Sequence, residues 1–246
     1  RVHSREYINQ VIDEHRCDEW VGERPDLSHL ASLFAGGTLV ALETLLKSNT
    51  RTAIHFPGAK HHAQKDHSYG FCVFADFALA SHIATQDYGK RVAILDIDAH
   101  HGDGTENLTL ENEKILTFST HQYGIFPGTG NDSNPDKLAY NYPLMSIDSN
   151  HDSRGDDAAL LKAVNSFIDI SKDFQPDMLF IACGADGHKE DSLSSLQFTK
   201  KGFEQVARKI REIYPLTPIL MGGAGGYLPD TVTPDIWAQF ALDISA

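Results

Sequence analysis

Short apolar runs alternate along the chain with longer segments in which apolar side chains recur every three or four positions. The short runs predict buried strands, and the longer segments predict helices with one apolar face. The predicted strands are Thr52–Phe56, Val92–Ile97, Ile115–Ser119, Met178–Cys183 and Pro218–Met221. The predicted helices are Leu27–Lys47, Phe71–Tyr88, Asp156–Phe174 and Thr199–Ile213. Strands that alternate with helices of this length predict an α/β fold with a mainly parallel sheet.

A cluster of glycine and polar residues follows each predicted strand. In chain order the clusters read PGAKHHA, HHGDG, HQYGIFPGTG, GADG and GGAGGYLP. Parallel strands end at the same edge of a sheet, and ligands of α/β proteins bind in the crevice outside that edge. The sequence therefore predicts one functional site that is assembled from these loops within a single domain.

The composition is compatible with one globular domain and excludes some partners. The chain has 246 residues, of which 41% are hydrophobic and 22% charged. It contains no run of about 18 consecutive apolar residues and no signal peptide, so we expect no transmembrane helix and no membrane partner. The formal net charge is -13 and Lys and Arg do not cluster, so we expect no direct contact with nucleic acid. The acidic balance favours solubility or cationic partners.

The cysteines indicate a reducing environment. Cys17, Cys72 and Cys183 form an odd set at wide spacing, and none belongs to a C-x-x-C pair. This pattern argues against a disulfide framework and against a cysteine zinc site. We therefore expect a cytoplasmic protein, or a nuclear one if its source is eukaryotic.

The stretch LDIDAHHGDGT places acidic residues and histidines directly after the second predicted strand. Asp96 and Asp98 share one face of the extended chain, and His100 lies two positions further on. Asp98 and His100 are therefore candidate metal ligands, and Asp186, after the fourth strand, is a third. One histidine and two carboxylates with an open position are typical of a catalytic zinc site, although Fe(II) or Co(II) would also bind. The alternative is a buried hydrogen-bonded network without a metal.

Two adjacent histidines, His61 and His62, follow the first predicted strand. Asp96 and Asp103 are candidate acceptors for their ring N–H groups, and a carboxylate behind an imidazole fixes its tautomer and raises its basicity. The pair is thus a candidate general base, and a structural role is the alternative. Tyr227, in a glycine-rich turn, is a candidate donor to a developing oxyanion. A phosphate cradle is disfavoured there, because neither G-x-G-x-x-G nor a Walker lysine follows.

Two aromatic residues flank the polar clusters in sequence. Phe71 lies in YGFCVF and Phe126 in GIFPGTG. Such residues are compatible both with the walls of a narrow tunnel and with ordinary core positions, and the sequence alone leaves the two interpretations open.

Taken together, the motifs resemble the zinc-dependent histone deacetylase family, which includes bacterial acetylpolyamine and acetoin-utilisation relatives. The segments that carry the resemblance are PGAKHHAQKDHSYGFC, LDIDAHHGDGT, FSTHQYGIFPGTG, GADGHKED and GGAGGYLP, and the likeness spans most of the chain. It implies a three-layer, arginase-like α/β/α fold around an eight-stranded, mainly parallel sheet. It also implies a single catalytic domain over residues 1–246, with a first strand and an active-site loop expected before Arg1.

The resemblance implies a role for each candidate side chain. The implied ligands of one zinc ion per chain are Asp98, His100 and Asp186. The implied catalytic groups are His62 with Asp103, His61 with Asp96, and Tyr227. The implied walls of the acyl-lysine channel are Gly70, Phe71 and Phe126, and the candidate rim carboxylates are Glu23 and Asp26. The implied structural potassium site comprises Asp96, Asp98 and His100 with main-chain oxygens near Ser119 and Thr120.

The resemblance implies hydrolysis of the amide of acetyl-lysine or of a related acylated amine by metal-activated water. The implied partner is an acetylated lysine peptide or an acetylated amine, and an acetylpolyamine amidohydrolase is the first alternative. A two-metal, arginase-like ureohydrolase is less favoured, because it needs a second D-x-D motif and GADGHKED offers one well-placed aspartate. A non-catalytic acyl-lysine-binding module is the last alternative.

Overall fold

The computed structural model describes residues 1–146 and 154–246 of the chain. Its strands are β1 (Thr52–His55), β2 (Val92–Asp96), β3 (Ile115–Gln122), β4 (Ala139–Leu144), β5 (Met178–Ala182) and β6 (Ile219–Gly222). They form one parallel sheet in the order β1-β6-β5-β2-β3-β4. The predicted α/β class with a parallel sheet is confirmed. The described residues contribute six strands, where the family resemblance implies eight.

Strand β4 is the one strand of this sheet that the apolar pattern did not predict. It reads AYNYPL and pairs with β3 alone among the described strands, so it lies at an edge. Its four middle residues are half-buried, which removes the continuous apolar run that marks a central strand. Pro143 is compatible with this position, because an edge strand leaves one row of its N–H groups without a partner.

The helices are α1 (Arg5–Ile12), α2 (Pro25–Lys47), α3 (Asp76–Tyr88), α4 (Asp103–Thr109), α5 (Asp157–Phe174), α6 (Lys200–Ile213) and α7 (Val232–Ser245). The two later predicted helices are confirmed to within one residue, because Asp156 and Thr199 are the N-caps of α5 and α6. The helix predicted from Phe71 was wrong at its start. Phe71 has a φ of 63°, which is incompatible with a right-handed helix, and α3 begins at Asp76.

Alternate side chains of the strands face two different helical layers. On one face Ile94, Phe180 and Leu220 pack against α2 and α3. On the other face Leu95, Ile181 and Met221 pack against α5, α6 and α7. The sheet is therefore covered on both sides, which gives the three layers implied by the family resemblance and explains why the interior strands β5 and β6 contain only apolar residues and glycine.

Helix α2 is the helix, among the described residues, that is long and apolar enough to cross a membrane. In this structure it packs on α3, β1 and β6, with Thr38, Leu42 and Leu45 buried. A long helix that packs an apolar face against a sheet meets the same criteria of length and composition. The criterion of about 18 consecutive apolar residues did not identify this helix as a candidate membrane span, because polar residues such as Thr38, Glu43 and Thr44 interrupt the apolar sequence.

Candidate active site

The polar clusters meet at the carboxyl edge of the sheet. His61 and His62 follow β1, Asp98 and His100 follow β2, and Asp186 follows β5. Phe126 and Tyr227 follow β3 and β6 in the same way. The structure thus brings the expected side chains together because all of these strands are parallel and end at one edge.

Asp98, His100 and Asp186 form a compact group of potential metal ligands. One ligand atom from each of them lies within 4.8 Å of the other two, and all three residues are buried. His100 Nδ1 lies 2.8 Å from Asp186 Oδ2 and 3.1 Å from Asp98 Oδ1. A second oxygen of Asp186 accepts a hydrogen bond from the Ala99 backbone N–H at 2.9 Å, which orients the carboxylate.

The electrostatics of this group favour a bound cation. Burial and the nearby charge of Asp98 raise the pKa of Asp186. Burial opposes the ionisation of Asp98, but His61 and His100 outweigh it and lower the pKa of that carboxyl. Burial likewise opposes a charge on His100, and its hydrogen bonds to Asp186 and Asp98 raise its pKa to about 10. Two buried carboxylates and one imidazole therefore fit a divalent cation such as Zn²⁺, Fe(II) or Co(II).

Each histidine of the pair has its own carboxylate. His61 Nδ1 lies 2.7 Å from Asp96 Oδ2, and His62 Nδ1 lies 2.6 Å from Asp103 Oδ1. An ionised carboxylate can only accept a hydrogen bond, so each Nδ1 carries the hydrogen and His62 Nε2 is left as the acceptor. Gln64 Nε2 donates to the other oxygen of Asp103 at 2.9 Å, and sequence reasoning gave Gln64 no role.

The two histidines have opposite pKa shifts although they are neighbours in sequence. Burial lowers the pKa of His61, but Asp96 and Asp98 outweigh burial and raise it to about 9. Burial and then the charge of His61 lower the pKa of His62 to about 4, against the smaller effect of Asp103. At neutral pH His61 is therefore a cation and His62 a neutral base.

The backbone around the histidine pair is held by a buried carboxylate and a close helix contact. Asp76 accepts hydrogen bonds from the backbone N–H groups of Ala59 at 2.9 Å and Lys60 at 2.7 Å. A Cβ on Gly104, in the first turn of α4, would lie 2.3 Å from the Ala63 carbonyl oxygen, so a side chain has no room there. Sequence reasoning missed Asp76. The signal that could have identified it is a carboxylate within an otherwise apolar segment.

A channel of about 410 Å³ leads to these groups. Its walls are Glu19, His62, Gly70, Phe71, His100, Ile125, Phe126, Leu193 and Tyr227. The Phe126 ring centroid lies 4.9 Å from that of His62, and a Cβ on Gly70 would lie 2.5 Å from His62 Cδ2. Phe71 is 71% exposed. Both phenylalanines thus line the channel rather than the core, and glycine at position 70 allows the close approach to His62.

Tyr227 lies opposite Phe71 in this channel, with their ring centroids 6.1 Å apart. Burial, followed by the charges of Asp98 and Asp186, raises the pKa of its hydroxyl. The hydroxyl therefore keeps its proton near neutral pH and remains a hydrogen-bond donor.

Comparison with known proteins identifies the family of the chain. The family described as the histone deacetylase domain matches residues 1–243. The chain belongs to this family. The resemblance stated from the motifs is therefore confirmed.

Relatives within the histone deacetylase family are bacterial and human. The acetoin utilization protein AcuC of Staphylococcus aureus (strain Mu50 / ATCC 700699) is 27% identical over 234 residues, which cover 92% of this chain and 59% of the relative. AcuC of Bacillus subtilis (strain 168) is 31% identical over 225 residues, 87% of this chain and 56% of the relative. Histone deacetylase 1 of Homo sapiens is 34% identical over 209 residues, 82% of this chain and 41% of the relative. The chain thus spans about half the length of these relatives.

The residues of the expected potassium site of this family lie where β2 and β3 run side by side. Asp96 and Ser119 are partners in the strand register. Ser119 Oγ lies 2.9 Å from His121 Nδ1, whereas the buried hydroxyl of Thr120 has no hydrogen-bond partner among the described residues. A potassium ion at this position stays a prediction.

The carboxylate at the channel is not one of the two candidates, Glu23 and Asp26, that the sequence offered. Glu23 pairs with Arg16 at 2.8 Å, and Asp26 pairs with Arg24 at 2.6 Å, and all four side chains are exposed. Glu19 is instead the carboxylate that lines the channel. Burial raises the pKa of the Glu19 carboxyl, and the hydrogen bond from the Phe71 backbone N–H offsets only part of this effect. Sequence reasoning missed Glu19, because its position depends on the loop between α1 and α2.

Proposed function

We propose that the chain is a zinc-dependent amidohydrolase that removes the acyl group from acetyl-lysine or a related acylated amine. The observation that supports this proposal is the convergence of Asp98, His100 and Asp186, with ligand atoms within 4.8 Å of one another, beside His62 in an apolar channel. A narrow apolar channel suits the methylene chain of an acylated amine, and the polar group at its end suits the amide.

The proposed reaction divides the work between the cation and the side chains around it. A divalent ion held by Asp98, His100 and Asp186 would polarise the amide carbonyl and acidify the attacking water. His62 Nε2 takes the proton from that water, because its Nδ1 is engaged by Asp103. The Tyr227 hydroxyl donates to the carbonyl oxygen as negative charge develops there.

The collapse of the tetrahedral species needs a proton on the departing nitrogen. His62 gives back the proton that it took, so it acts first as base and then as acid. His61 keeps its own proton near neutral pH, since its pKa is raised to about 9, and its positive charge offsets part of the negative charge of Asp96 and Asp98. The amine and the acetate then leave through the channel.

A two-metal ureohydrolase remains the competing enzyme on the same fold. Within residues 1–146 and 154–246 the group Asp98, His100 and Asp186 is the cluster of three or more potential ligands that the structure contains. One such group favours one metal ion per chain. Two manganese ions per chain in elemental analysis would favour the ureohydrolase instead.

The proposal is tested by assaying a fluorogenic acetyl-lysine peptide with the zinc-loaded protein. We expect hydrolysis that a hydroxamate chelator abolishes, since such a compound occupies the open coordination position of the metal. Full binding of the peptide without turnover would instead favour a non-catalytic acyl-lysine module. Acetylated diamines and longer acyl chains in the same panel identify the substrate, and an acetylpolyamine preference would select the first alternative.

We expect the acidic limb of kcat/KM to lie well below pH 6.5, the ordinary pKa of histidine. His62 must be neutral to accept a proton, and burial together with the charge of His61 lowers its pKa to about 4. Lowering the pH through that pKa adds the proton and removes the base, so activity is lost only at low pH. Rates measured from about pH 4 to 8, with metal content determined at each pH, test this. A midpoint at or above 6.5 in fully loaded protein would contradict it.

Cytoplasmic localisation and an acetylated substrate are part of this proposal. The free, buried cysteines Cys17, Cys72 and Cys183 support a reducing compartment. The net charge of -13 supports partners that are cationic rather than nucleic acid.

A further inference from the structure

The segment before Tyr227 has almost no side chains with which to fix its conformation. Residues 222–226 read GGAGG, so the backbone itself must be held in place. Its N–H groups donate from Gly223 N to Phe56 O (3.1 Å), Ala224 N to Gly58 O (3.2 Å), Gly225 N to Asp98 Oδ2 (2.7 Å) and Tyr227 N to Asp191 Oδ2 (2.9 Å). Its carbonyl oxygens accept from Cys183 N at Gly222 (2.9 Å) and from Ala185 N at Gly225 (2.7 Å). The hydrogen bond from Tyr227 N fixes the backbone of the tyrosine itself.

Asp191 connects two walls of the channel. Its Oδ2 accepts the hydrogen bond from Tyr227 N at 2.9 Å, and its Oδ1 accepts one from Leu193 N at 3.0 Å. Tyr227 and Leu193 both line the channel. Asp191 is only 5% exposed, and its own N–H donates to the His188 carbonyl oxygen at 2.8 Å, so its position is itself fixed.

We propose that Asp191 is a positioning residue, which holds the backbone of Tyr227 so that the tyrosine hydroxyl meets the substrate carbonyl. This inference rests on the proposed amide hydrolysis. Asp191 lies outside the group of potential metal ligands and outside the two histidine–carboxylate pairs. It therefore acts through Tyr227 and does not touch the reacting atoms.

Asp191 can position Tyr227 because its hydrogen bond to Tyr227 N is strong and because the glycine-rich segment that this bond holds is intrinsically mobile. A hydrogen bond to an ionised acceptor is stronger than one between neutral groups, and a buried N–H without a partner is costly. Without Asp191 the glycine-rich segment would lose its contact nearest to Tyr227. A displacement of about 1 Å of a catalytic group can lower the rate by roughly 10²-fold.

The experiment compares Asp191→Ala and Asp191→Asn with Asp177→Asn in the zinc-loaded protein. Asp177 is a matched control, because its carboxylate accepts a hydrogen bond from the Arg91 backbone N–H at 2.8 Å at the start of β5, away from the site. We expect Asp191→Ala to lower kcat by about 10- to 100-fold with little change in KM. Asp191→Asn keeps an acceptor oxygen and should lose less, and Asp177→Asn should match the parent protein.

Two further measurements separate positioning from general damage. In a Tyr227→Phe background, Asp191→Ala should lower kcat by less than about twofold, because the group that it positions is already gone. In the Asp191→Ala single variant, amide hydrogen exchange should be faster than in the parent by about tenfold in the peptide covering residues 222–228, with other regions unchanged.

Each result decides the inference. Unchanged exchange at residues 222–228 in both Asp191 variants, or an equal loss of kcat with and without the Tyr227 hydroxyl, overturns it. If the parent protein hydrolyses no amide, the proposed function fails, and the exchange measurement alone still decides whether Asp191 holds this segment. If Asp191→Ala does not fold, the isosteric Asp191→Asn supplies both readouts.

Discussion

Replacing Tyr227 by phenylalanine is expected to lower kcat by about 10²- to 10³-fold while the metal stays bound. The loss corresponds to about 2.7–4 kcal/mol, the effect of removing one preorganised donor to an oxyanion. In this site the Tyr227 hydroxyl is expected to contribute much of the stabilisation of the oxyanion. Asp98 and Asp186 would supply two negative charges to a bound divalent ion and so weaken its attraction for the oxyanion, which leaves a larger share of that stabilisation to Tyr227. The raised pKa of Tyr227 keeps its proton available for this hydrogen bond.

The Tyr227 variant is measured by steady-state kinetics and by elemental analysis of the same preparation. Tyr88→Phe is the matched control, because Tyr88 is 43% exposed at the end of α3 and Tyr227 is 40% exposed in the channel. Tyr88→Phe should leave both quantities unchanged. A Tyr227 variant that turns over within about twofold of the parent, with full metal content, would remove the role assigned to its hydroxyl.

The central part of the fold follows from the sequence because burial there is uniform. Every residue of β2 and β5 is buried, so both read as continuous apolar runs. The edge strand β4 is half-buried and carries a proline, so no such run marks it. Helix α4 has seven residues, too few for a helical period to stand out.

The site follows from the sequence as far as it depends on topology alone. Parallel strands bring the residues after β1, β2, β5 and β6 to one edge, whatever the details of the loops. Glu19 and Asp191 depend on how loops fold back over that edge, and no local pattern encodes this. The opposite pKa shifts of His61 and His62 likewise arise from burial and from charges brought close by folding.

Replacing Asp186 by asparagine is expected to abolish zinc-dependent activity through loss of the metal. Losing a partner that merely supports a ligand costs about 10- to 100-fold in metal affinity. The loss of a ligand together with its charge should cost more than that. The asparagine side chain has nearly the same shape, so its oxygen can still accept the hydrogen bond that Ala99 N donates to Asp186 Oδ1 at 2.9 Å. Elemental analysis after dialysis against zinc measures the occupancy.

Thermal unfolding separates loss of the metal from loss of the fold, because the substitution should have little effect on the metal-free protein and a large effect on the response to zinc. In metal-free protein, burial and the charge of Asp98 disfavour the ionised form of Asp186, which is why its pKa is raised. A neutral amide relieves that repulsion, but with its oxygen toward Ala99 N it places its NH2 group at the position of Asp186 Oδ2, 2.8 Å from His100 Nδ1, and loses the charged hydrogen bond there. These two effects oppose each other, so the metal-free variant should unfold close to the temperature of the metal-free parent. Saturating zinc should then stabilise the parent by about 2.7 kcal/mol at 100 times its Kd and leave the variant nearly unchanged. Full zinc occupancy in the variant, with an equal rise in Tm, would show that Asp186 is no ligand. A parent protein that binds no zinc and shows no rise in Tm would instead indicate a buried hydrogen-bonded network without a metal.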